Sequence, residues 1–226
     1  IPLRLVGSEM CIRDRDPFHM AAVAWRGLAF NDGGYGHDPM GVEQDLQNIE
    51  RQQILPLAQQ LPSGRSVLSL AGCLPADIEH RIRAMDGFRG WPQASAEWNA
   101  GRLNYGTPAG ERIHLESMDT EQVVLMLGQA TVPHGHPDDL VLRLLQCHLG
   151  VGMSSLLFRR LREEHGVAYE VAVHYPQLMG PAPFVLLAAT GMERAELSLQ
   201  LLLQSWDELC QTCLLYTSPS PRDVEE

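Results

Sequence analysis

Apolar positions recur at helical or alternating spacing along most of the chain, and that spacing predicts the elements. Residues 17–29 read as a helix, with Asp16 as its N-cap and Pro17 in the first turn. Asn31-Asp32-Gly33-Gly34 breaks it, and residues 35–40 form a loop. Residues 42–49 and 52–61 read as short helices, the second flawed by Pro56, and Pro62-Ser63-Gly64 is a turn. Residues 66–71 alternate like a strand, and residues 75–85 form an amphipathic helix with Ala76, Ile78 and Ile82 among its apolar positions. Residues 86–110, rich in Gly, Pro and Trp, are a long connection. Strands are predicted at 112–117 and 122–128. The segment 137–148 is a helix with Leu140, Val141, Leu144 and Leu145 on one face. Residues 149–153 are a tight turn, and 154–164 a second helix capped by Ser154 and ended by His165-Gly166. Strands at 168–174 and 183–189 precede a Leu-rich helix over 192–209. The order predicts an α+β fold: a largely antiparallel sheet with helices packed on one face.

Composition changes the picture in two ways. The 226 residues are 45% hydrophobic and 20% charged, which excludes collagenous and disordered classes and allows a sizeable core. The net charge of −11 argues against nucleic acid or an anionic membrane as the main partner. Lysine is absent, so all 17 basic residues are Arg, a mark of GC-rich codon usage. No apolar run is long enough for a transmembrane helix.

The two ends stand apart. Residues 5–14 (Leu5 to Asp14) and 213–223 (Cys213 to Asp223) carry no helical or strand period. Both resemble translated tagmentation adapter, one end in each strand sense. The expectation is that residues 1–15 and 213–226 are not native, and that 16–212 is one domain cut from a longer gene. The native N-terminus is then missing, and targeting signals cannot be read; cytoplasm and periplasm both remain open. Within 16–212 stand Cys73, Cys147 and Cys210, with no Cys-x-x-Cys pair, which predicts neither a disulfide framework nor a zinc knuckle.

Several constellations invite chemistry. The turn Leu149-Gly150-Val151-Gly152-Met153 follows a helix and lacks Gly-Lys-Ser/Thr, so it reads as a turn needing positive φ or close approach, not a phosphate loop. His134-Gly135-His136 with Asp138 and Asp139 offers metal donors, but a solvated loop leading into an acidic helix start fits it better. His-Glu-x-x-His is absent. The inverted His-x-x-Glu-His fails at both Glu79-His80 and Glu164-His165, where Ala76 and Leu161 hold the earlier His positions. Ser154 has no Gly-x-Ser-x-Gly context.

One stretch is more specific. Leu149-Gly-Val-Gly-Met-Ser-Ser-Leu-Leu-Phe-Arg-Arg-Leu-Arg162-Glu-Glu-His-Gly166-Val-Ala-Tyr169 resembles the second-domain signature of the insulinase/pitrilysin-type (M16) zinc metallopeptidases, which include mitochondrial processing peptidase. Val167 replaces the usual Leu. Thr120-Glu121-Gln122 before a strand, His136-Pro137-Asp138 before a helix, Tyr35 to Gly41 and Ser66 to Gly72 match in the same order.

The resemblance implies the non-zinc domain of a clam-shell peptidase, with no cofactor of its own. Zinc and the His-x-x-Glu-His motif would belong to another domain or subunit. It implies that Arg162 holds a substrate backbone carbonyl and that Tyr169 hydrogen-bonds the reacting carbonyl oxygen. A guanidinium is a fixed fork of donors and a phenol can donate to a developing oxyanion. Against this stands a structural reading, in which Arg162 pairs with Glu163 or Glu164 and Tyr169 is a half-buried strand residue. Three functions follow: a substrate-binding domain of a peptidase that cleaves peptides in a closed chamber, a non-catalytic partner subunit of a heterodimeric peptidase, or a structural core protein without proteolysis. In each, this chain alone is expected to cleave nothing.

Overall fold

The computed structural model describes residues 16–31, 33–60, 68–88, 104–106 and 113–211. The adapter-like ends, the turn at 62–64 and most of the connection at 86–110 lie outside the described residues. The chain divides into two units, residues 38–103 and the remainder.

The larger unit is built on a three-stranded antiparallel sheet of β1 (Gln122–Ala130), β2 (Ala168–His174) and β3 (Pro183–Gly191), in the order β1-β3-β2. β1 runs unbroken along β3 from Gln122↔Gly191 to Ala130↔Pro183. β2 and β3 form the hairpin pair expected from their short connection. The middle strand is almost wholly apolar and buried, with Phe184, Leu186 and Ala188 entering the main core. That core is closed by Leu149 of α5 (Asp139–Gly150), Leu157 and Leu161 before β2, and Leu201 and Leu202 of α6 (Ala195–Gln211), each at most 5% exposed.

The same unit contains α1 (Pro17–Phe30), which packs against β1. The Asp16 carboxylate accepts a hydrogen bond from the Phe18 N–H at 3.0 Å, the cap read from the sequence. Phe30 at its end is fully buried against Tyr35, edge to face.

The smaller unit contains α2 (Glu43–Asn48), α3 (Arg51–Gln60) and α4 (Ile78–Ala84). None of its described residues is buried. Surface ion pairs four residues apart, Arg81–Asp77 and Arg83–Glu79, brace α4 and its start.

Two predicted strands are not formed by the described residues. Residues 68–71 and 113–117 join no ladder among the described residues, and Ile113 and Leu115 are 93% and 91% exposed. Alternation supplies two faces, but a strand also needs a neighbour for its N–H and C=O groups. The α5 face is a further correction. Leu140, Val141 and Leu144 point to solvent, and Leu142, Leu145 and Leu149 pack inward. This helix is apolar nearly all round, so its period admits two stripes and the sheet selects one.

Gly150 follows for a steric reason: a Cβ there would stand 2.7 Å from the backbone nitrogen of Val173 on β2. The glycine lets α5 end against the strand.

Candidate functional site

The segment Leu157 to Tyr169 places both residues implied by the resemblance at one corner of the sheet. The predicted helix at 154–164 is α-helical only at Leu156–Leu157 and becomes a π-helix over Phe158–Glu164. Ser154 is exposed and makes no capping bond among the described residues; the residue ahead of the π-helix is Leu157. Such wide turns are rare and gather at functional sites. Here the His165 N–H reaches back to the Arg160 carbonyl at 3.3 Å, five residues away.

The arginines of this helix divide into committed and free. Arg160 donates to the Ser205 hydroxyl at 2.9 Å and to both carboxylate oxygens of Glu208 at 3.0 and 2.7 Å, tying the π-helix to α6. Arg162 is exposed and, among the described residues, has no ion-pair partner, so pairing with Glu163 or Glu164 does not occur. Its guanidinium lies over the Phe158 ring, 4.7 Å from the centroid, on the i,i+4 spacing of that helix. Stacking uses the face of the guanidinium and leaves its N–H edge for a ligand.

Gly166 then turns the chain with φ +59°, a left-handed conformation that a side chain would strain. The Val167 N–H donates to the Leu161 carbonyl at 2.8 Å, and Val167 is buried. β2 opens on a bulge: Ala168 pairs with Thr190 and Glu170 with Ala189, so Tyr169 is the extra residue. Tyr169 is 49% exposed, and its hydroxyl has no hydrogen-bond partner among the described residues. Partial burial, and then the charge of Glu170, push its pKa above the ordinary 10.0. At neutral pH it is a protonated donor. The corner thus presents two uncommitted donor groups seven residues apart, a cationic fork and a neutral phenol, held on packed elements.

A second polar cluster lies at the other end of β2. Asp139, in the first turn of α5, is 6% exposed. It receives hydrogen bonds from Tyr175 Oη at 3.0 Å and the Gly135 N–H at 3.2 Å, stands 2.8 Å from His134 Nδ1, and pairs with Arg143 at 3.1 Å. Burial raises its pKa, but the bonds from Gly135, Tyr175, His134 and Arg143 outweigh it and set the value at about 2. The same bond and burial raise the pKa of Tyr175. This is where the metal donors of the sequence end up. His134 and Asp139 are turned on each other, and His136 Nδ1 accepts from the Asp138 N–H at 3.2 Å. Among the described residues no group of three His, Cys, Asp or Glu side chains is arranged to hold a metal ion.

Sequence reasoning missed Asp139 and Tyr175 as partners, and missed Thr190, Ser198 and Arg194. A Thr within an otherwise apolar buried strand, and a Ser within a Leu-rich helix, were the available signals.

Residues 48–214 match the family described as the peptidase M16 inactive domain. The chain belongs to that family. This M16 inactive domain is 32% identical over 173 residues to proteins named as uncharacterized zinc proteases in Mycobacterium bovis and Mycobacterium tuberculosis, covering 74% of this chain and 38% of each relative. It spans well under half the length of those relatives. Among solved structures it is similar to a peptidase M16 inactive domain from Pseudomonas fluorescens (TM-score 0.67, 20% identity, 96% of this chain and 51% of that one). It is also similar in fold to a chain of Complex III2 from Candida albicans (TM-score 0.73, 11% identity, 93% of this chain and 51% of that one). The α+β fold with an antiparallel sheet is the fold these neighbours share.

Proposed function

We propose that this domain is the substrate-holding, non-zinc part of a zinc-dependent endopeptidase that cleaves peptides in a closed chamber. The observation that carries the reading is the pair of free donors, Arg162 and Tyr169, on either side of the Gly166 turn in an M16 inactive domain. Arg162, stacked on Phe158, offers its N–H edge to a peptide carbonyl. Tyr169, kept protonated, donates to the carbonyl oxygen that gains charge during hydrolysis. Zinc and its ligands would reside in a domain or subunit bearing His-x-x-Glu-His. The partners are therefore a peptide substrate and that catalytic domain.

A second reading is favoured by the neighbour in Complex III2: a core-protein relative that keeps the fold without proteolysis. A partner subunit that lends the same two residues to a separate catalytic chain is the intermediate case. The test uses this chain together with its His-x-x-Glu-His domain or subunit. Arg162→Ala and Tyr169→Phe should each lower turnover by roughly 10-fold or more, as loss of an oxyanion donor does, with the melting temperature unchanged. Wild-type turnover in both variants rejects the substrate-contact reading. The isolated chain should hydrolyse no peptide with added zinc.

A further inference from the structure

The corner carrying Arg162 and Tyr169 is held by bonds from one further region. The Thr190 hydroxyl, at the end of β3, donates to the Val167 carbonyl at 2.6 Å. The Ser198 hydroxyl, on α6, donates to the Thr190 hydroxyl at 3.2 Å. Thr190 and Ser198 are both fully buried. From the 3-10 turn Met192–Arg194, Arg194 Nη1 donates to the Gly166 carbonyl at 2.6 Å. These bonds close on two consecutive carbonyls, Gly166 and Val167, which lie between the π-helix and the bulge.

That placement is informative. A left-handed residue followed by a bulged strand start satisfies few of its own backbone groups, and extra partners must come from elsewhere. Thr190 is also the ladder partner of Ala168, next to Tyr169. A hydroxyl at position 190 therefore sets the path of the chain one residue before the bulge begins.

We infer that Thr190, relayed by Ser198 and assisted by Arg194, is a positioning residue: it holds the Gly166–Val167 turn so that Tyr169 and Arg162 address one bound peptide. The inference rests on the substrate-contact reading above and adds residues to it. None of the three touches substrate; each acts through the main chain of the turn.

The test again uses the complete enzyme with its zinc-bearing part. Thr190→Val keeps the side-chain shape and removes the donor. Thr190→Ser keeps the donor and removes a methyl. Arg194→Met removes the other bond from an exposed position and provides a variant that folds if Thr190→Val does not. Thr190→Val and Arg194→Met should lower kcat several-fold with little change in KM, and Thr190→Ser should restore most of the loss. In an Arg162→Ala/Tyr169→Phe background the two substitutions should add little further loss, because residues acting through the same groups are not additive. Amide exchange at residues 167–170 should quicken in both variants, with exchange in β3 unchanged. A full, multiplicative loss in the Arg162→Ala/Tyr169→Phe background, or unchanged exchange at 167–170, overturns the positioning role while leaving the substrate-contact reading standing. Wild-type turnover in both Arg162→Ala and Tyr169→Phe removes both.

Discussion

Two tyrosines mark the two ends of β2, and they are used in opposite ways. Tyr175, just past the strand, is 4% exposed and donates to the buried carboxylate of Asp139. Tyr169, at the strand's start, is 49% exposed, sits in a bulge and donates to nothing described. Both have raised pKa values, one chiefly from burial with an acceptor beside it, the other from burial and a neighbouring glutamate. Arg160 and Arg162 of the π-helix repeat the contrast, with Arg160 bonded to α6 and Arg162 free at its edge. A buried polar group must be satisfied where it lies, and it then serves the fold. A donor left unsatisfied at the surface, on a backbone fixed by other groups, is free for a ligand.

The largest expected effect tests the division within one helix turn. Leu161 is fully buried and Arg162 is exposed, although they are adjacent. Leu161→Ala should cost about 2–5 kcal/mol in denaturant unfolding, and Arg162→Ala less than about 0.5 kcal/mol. Equal costs for the two would erase the distinction between committed and free positions.

The next effect is on acid stability. Asp139 has a folded pKa of about 2 against an ordinary 3.8. As pH falls, the unfolded chain takes up the proton first, so the carboxylate's contribution is complete above pH 3.8 and is lost on the way down to about 2. The wild-type denaturation midpoint should drop in that window, and Asp139→Asn should flatten the slope. An unchanged slope in the variant means that Asp139 is not held as a low-pKa anion. Tyr175→Phe should lower the melting temperature, and Tyr169→Phe should leave it unaltered; a matched drop in both contradicts the assignment of roles.

The smallest effect concerns α5. Leu144→Gln lies on the exposed stripe and should change stability by no more than about 0.5 kcal/mol. Leu149→Ala, on the inward stripe and fully buried, should behave like Leu161→Ala.

The resemblance at residues 149–169 carried the reading furthest. It led to the family, which the match over 48–214 then showed, and to Arg162 and Tyr169 as the residues to inspect. The tight turn needing glycine was legible as well, since only a residue without Cβ fits against Val173. The burial of Asp139 was not legible. Arg143 is one helical turn away on α5, but the Tyr175 hydroxyl that bonds Asp139 comes from 36 residues along the chain.

By itself the sequence determined what short-range physics controls: the Asp16 cap, the helix periods, the strands at 122–128, 168–174 and 183–189, and the stops at Gly and Pro. Those depend on neighbours a few residues apart. The tertiary structure alone decided which stripe of α5 is buried, and that Leu68–Ala71 and 113–118 join no ladder among the described residues. It alone placed Thr190, Ser198 and Arg194 on the turn between Arg162 and Tyr169. The Thr190 and Arg194 bonds reach across 23 and 28 residues, and the buried stripe of α5 is a choice between equivalent faces; one-dimensional spacing contains no term for either.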